Sequence, residues 1–244
     1  MHAEYLARLP PDIRALVGEI ERESGTEIAV TPDSTRTDKL GCNIECNGSE
    51  ILIPQNDYFP PAAVLHELLH IKRMYLDRVP RIVFCEDCNE YLDDPAQEVQ
   101  LRSGLVKLDN NLEHLVIVPK EIELMPDRSL YWEQRMRRTL TKLTADNLSK
   151  DNQCGSVVEH WPFVHHVLPD SNLKVQIREL AEKLQVVDKA TAFGEAIIKA
   201  LDSKEAVVRV WMEHFTAYEK IVCLKYFDIQ NRTSHRLHVP PANA

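Results

Sequence analysis

The chain has 244 residues, 44% hydrophobic and 27% charged, which is long enough to bury a core without metal or disulfide staples and excludes a disordered or fibrous protein. Its 38 acidic and 29 basic residues leave a formal charge of −9, arguing against general binding to nucleic acid or to anionic membranes, whose phosphates a negative surface repels. No apolar run approaches the roughly 20 residues of a bilayer-spanning helix. Met1-His2-Ala3-Glu4-Tyr5 does not read as a secretory leader, and six cysteines are too few for a disulfide scaffold, so a cytoplasmic setting is expected.

Pro10-Pro11-Asp12 opens a stretch to Glu23 in which Ile13, Leu16, Val17 and Ile20 recur at helical spacing, ended by Ser24-Gly25. Thr26 to Thr31, Leu40 to Cys46 and Glu50 to Pro54 read as strands, the last two around an Asn47-Gly48-Ser49 turn, and predict a small antiparallel sheet. Pro60-Pro61 then starts a helix to about Tyr75, since proline is tolerated where its missing N–H has no partner to lose. A short apolar run, Ile82-Val83-Phe84, precedes a polar loop through Pro95. From Ala96 to about Val118, apolar residues including Leu101, Leu105, Leu108, Leu112 and Leu115 predict a second long helix closed by Pro119. Beyond Pro126 the pattern is helical over roughly 128–147, 156–168, 171–185, 188–201 and 203–219, with terminal strands over 221–229 and 236–239. The expected fold class is α+β: a small antiparallel sheet with its helices over 1–125, then a mainly helical part over 126–244.

The first of the two long helices carries His66-Glu67-Leu68-Leu69-His70. Residues four apart lie on one helix face, so His66 and His70 can present two imidazole nitrogens to one ion. Glu67, one position on, can reach a water on that ion without ligating it, the place of a general base. Zinc lowers the pKa of its bound water to about 7, which a nearby carboxylate can exploit. Apolar Val64, Leu68, Leu69 and Ile71 and a proline-free run from 62 to 76 give the motif the helical setting it needs.

Residues 40 to 119 resemble the zincin metallopeptidases of the ImmA/IrrE-like branch: a β-hairpin, the His-Glu-Leu-Leu-His helix, then a helix ending Asn110-Asn111-Leu112-Glu113-His114-Leu115-Val116-Ile117-Val118-Pro119. The resemblance implies zincin-type helices, bound Zn2+, a cytoplasmic peptidase and a protein or peptide substrate. It also implies a third ligand from a later helix, among Glu86, Glu90, Glu98, Glu113 and His114. Glu113 is favoured, with Asp109 and Asn110 as its supports, while Glu98 lies nearer the branch's usual interval. His114 is the close rival, pointing about 100° round the helix from Glu113.

Other features have plainer readings beside functional ones. Cys42, Cys46, Cys85 and Cys88 could in principle form a four-thiolate zinc site, against which stand ordinary buried thiols. Tyr131, His160, His165 and His214 are candidates to stabilise an oxyanion, and the sequence does not rank them. The strand Glu50-Ile51-Leu52-Ile53 is either an edge for an extended substrate or a core strand. Arg135-Met136-Arg137-Arg138 reads as a solvated helix face. A different class of function, a zinc-stabilised interaction module without hydrolytic activity, would need a metal site closed by protein; Glu67 beside the first histidine favours the enzyme.

Overall fold

The structure, a computed structural model, describes residues 1–85, 95–144, 148–215 and 221–239. It has the α+β character expected and divides into two compact units, Met1–Asp109 with Val222–His238, and Asn110–Ile221 with Val239.

The first unit opens with a short helix α1 (Ala3–Leu6) and α2 (Pro11–Ser24). Pro11 sits in the first turn of α2, and Gly25 ends it in the left-handed region at φ 66°, its N–H reaching Glu21 O at 2.9 Å. Strands β1 (Ile28–Pro32), β2 (Gly41–Glu45) and β3 (Gly48–Ile53) form a sheet of order β1-β3-β2. The β2–β3 hairpin is antiparallel as expected, but β1 joins β3 in parallel, with Val30 opposite Ile51, so the sheet is mixed. Alternate residues of β3, Ser49, Ile51 and Ile53, are buried, and α3 (Pro61–Tyr75) packs against β2 and β3. Since β3 is paired on both sides, it is an internal strand and presents no edge to a substrate.

A second sheet, β4-β5-β6, joins Arg81–Phe84 to the far-off Val222–Asp228 and Thr233–His238 through antiparallel pairs such as Val83 with Cys223. That pairing is why the first unit takes back part of the C-terminal region assigned by sequence to the helical part. Helix α4 (Pro95–Leu124) runs through the division at Asp109. Pro119 lies inside α4 and does not close it. Proline there removes only one N–H, and the flanking Ile117, Val118 and Glu121 are buried, so packing holds the last turn.

The second unit is helical: α5 (Arg128–Leu143), α6 (Lys150–Pro162) with a π-helical turn over Phe163–Val167, α7 (Leu173–Leu184), α8 (Val187–Ala200) and α9 (Lys204–His214). Ser149 and Ser203 cap α6 and α9, accepting from Asn152 N and Ala206 N at 3.3 Å. Helices α6 and α8 approach closely at Gly194, where an added Cβ would meet Trp161 Cδ1 at 2.8 Å.

Candidate metal centre

Helix α3 is held at its C-terminal end by its own polar residues. Val64, Leu65, Leu68, Ile71 and Met74 make its buried stripe. At its C-terminal end the Tyr75 hydroxyl donates to Glu45 O at 2.7 Å, Lys72 Nζ reaches Glu19 Oε1 at 2.8 Å, and Lys72 and Arg73 complement the helix dipole. Burial pushes Tyr75 up to about 12, so it remains a neutral donor to the β2 carbonyl at neutral pH.

On this fixed helix the rings of His66 and His70 stand 4.9 Å apart, centroid to centroid, at 87°. His66, His70 and His114 of α4 each offer one ring nitrogen, and the three atoms lie within 4.8 Å of one another. His70 and His114 are buried at 7% and 4% exposure, and His66 partly so. The all-nitrogen donor set suits a metal ion, and the cluster can hold one.

Glu67, at 8% exposure, is among the few buried carboxylates of the chain. The Cys42 thiol of β2 stands beside it. Burial first, then the Glu67 charge, pushes the Cys42 thiol well above its ordinary range, so the thiol keeps its proton. This neighbour escaped the sequence reading, which weighed Cys42 only as a thiolate ligand or an idle thiol. The usable signal was the β2–β3 register: Cys42 pairs with the fully buried Ile51 and so lies on the covered face of the hairpin.

Of the two neighbours weighed for the third position, His114 joins the cluster. The Glu113 carboxylate accepts from Lys204 Nζ of α9 at 2.7 Å, both side chains 4% exposed. Asp109, expected to support Glu113, instead accepts from Ile82 N at 3.1 Å and Arg81 Nε at 3.2 Å, fastening α4 to β4. Glu98 pairs with Arg102 at 2.6 Å. Cys42, Cys46 and Cys85 do not gather into a ligand group among the described residues, and Cys88, Glu86 and Glu90 lie outside them.

The surroundings of His114 within the second unit are also new. Its ring packs edge-on against Trp132 of α5, centroids 4.9 Å apart. Of the four residues weighed for an oxyanion, Tyr131 is in ring contact with Trp132; His165 stacks on Trp161, and His214 Nδ1 lies 3.0 Å from Val210 O. Burial lowers the pKa of His160 and His165, which suits packed neutral rings.

Compared with models of known families, with curated proteins and with solved structures, the chain matches none. No helix among the described residues is long and apolar enough to cross a membrane.

Proposed function

We propose that this protein is a zinc-dependent metallohydrolase, a cytoplasmic peptidase that cleaves a peptide bond in a protein substrate. The observation that carries the reading is the conjunction of three gathered imidazoles with a buried carboxylate, Glu67, on the same helical turn as two of them. His66, His70 and His114 would hold the ion through neutral ring nitrogens, His114 taking the place for which the sequence favoured Glu113.

When bound, zinc supplies a Lewis acid that polarises a carbonyl and acidifies a water. The proton work falls to Glu67: its carboxylate oxygens accept a proton from the attacking water and return it to the leaving amide nitrogen. Burial of Glu67 keeps bulk water from competing for that carboxylate, and its neighbour, the Cys42 thiol, stays protonated and leaves its charge intact. A metal site serving only to stabilise the fold has no use for a carboxylate at this position.

The test compares wild type with Glu67→Gln, both loaded with zinc, on a degenerate peptide mixture and an unfolded protein substrate. Gln keeps the shape and loses the base, so zinc content should stay and cleavage fall by about 10²–10⁴-fold. Full activity in Glu67→Gln contradicts the reading. So does a zinc-loaded wild type that cleaves nothing yet loses its thermal midpoint when zinc is removed, the behaviour of a zinc-stabilised interaction module.

A further inference from the structure

Around His114 the second unit buries more polar machinery than packing requires. Glu121 lies on α4 seven residues after His114, two turns along the same stripe of the helix, and it is fully buried. Its carboxylate takes two donors from α5: Arg128 Nε on one oxygen and the Trp132 indole N–H on the other, the latter at 3.0 Å. Trp132, 2% exposed, therefore spans the two turns of α4, anchored by its nitrogen at Glu121 and touching the His114 ring with its face. The Phe163 ring at 5.7 Å, the Tyr131 ring at 5.4 Å and the Arg135 guanidinium at 4.8 Å are also among its neighbours. An indole needs one acceptor when buried, and any backbone carbonyl would serve. Here the acceptor is a desolvated carboxylate that itself requires Arg128, a costly arrangement for packing alone.

We infer that Trp132 is a positioning residue for the metal centre: hung from Glu121, it fixes the plane of the His114 ring so that its nitrogen is ready for the ion. The inference rests on the reading of His66, His70 and His114 as metal ligands. A ligand ring set before the metal arrives loses less freedom on binding, and the groups that orient metal-bound histidines contribute about 10–100-fold to metal affinity.

The experiment measures zinc affinity of the full chain by competition with a chromogenic chelator, well below the thermal midpoint of each metal-free variant, together with the visible spectrum of the Co2+-loaded form. Trp132→Phe keeps a ring against His114 and loses the anchoring N–H; it should bind zinc about tenfold more weakly and show an altered cobalt spectrum. Trp132→Leu, which removes the ring as well, should lose more. If Trp132→Leu does not fold, Trp132→Phe decides. Wild-type affinity and spectrum in Trp132→Phe overturn this inference and leave the metal centre standing. A wild type that binds no zinc overturns the metal centre and the inference with it.

Discussion

The buried carboxylates of the two units differ in what stands beside them. In the helical unit Glu113 faces Lys204, and Glu121 faces Arg128 and the Trp132 indole, so each negative charge taken out of water is met by a cation. In the first unit Asp109 follows the same rule with Arg81, but Glu67 stands beside a thiol. A carboxylate beside a cation has its charge met; one beside a neutral thiol keeps it. Burial alone therefore does not set Glu67 apart from the other buried carboxylates, and the identity of the neighbour does.

If the carboxylates of the helical unit are there for structure, breaking one of their pairs should be expensive. Lys204→Met leaves Glu113 buried without its cation and should destabilise the protein by about 3–5 kcal/mol in denaturant unfolding. A loss below about 1 kcal/mol would mean that Glu113 is not tied to Lys204 and would reopen its role as a ligand. On the other side of the comparison, Cys42→Ala removes the neutral neighbour of Glu67 and should lower cleavage at unchanged zinc content; equal rates in wild type and Cys42→Ala would break the assignment.

The smallest effect concerns the histidines of the helical unit. Burial holds His160 below its ordinary pKa, so the unfolded chain binds its proton more readily than the folded one. Stability from this group is complete above the unfolded pKa of about 6.5 and is lost as pH falls through it toward the lower folded value. Thermal unfolding followed from about pH 7.5 to 5 should show this decline, and His160→Gln should flatten part of it.

The local elements were legible in the sequence because their causes are local. Prolines at the start of α3, Gly25 after α2 and the alternation in the hairpin predict these elements within a residue or two of where they stand. The second sheet was not assembled because β4 finds its partner in β5, far along the chain, and a four-residue apolar run names no partner. Pro119 misled because tertiary burial of its neighbours outweighs one missing hydrogen bond.

The two histidines and the glutamate of α3 were equally legible, since a spacing of four places both rings on one face whatever the tertiary fold. Which of Glu113 and His114 gathers with them was not. Leu112, Glu113, His114, Leu115, Ile117 and Val118 are all buried, so periodicity offers no empty face by which to choose between neighbours about 100° apart. What separates them is Lys204, 91 residues from Glu113, which claims the carboxylate. Cys42 beside Glu67 and Trp132 beside His114 were missed for the same reason: contacts across elements have no signature along the chain.

Metal analysis of three purified proteins addresses the centre most directly. Wild type and Glu113→Gln should each bind one zinc ion per chain with similar affinity, and His114→Ala should lose tight binding. Retention of zinc by His114→Ala together with its loss from Glu113→Gln would place the third ligand one residue earlier and contradict a three-histidine centre.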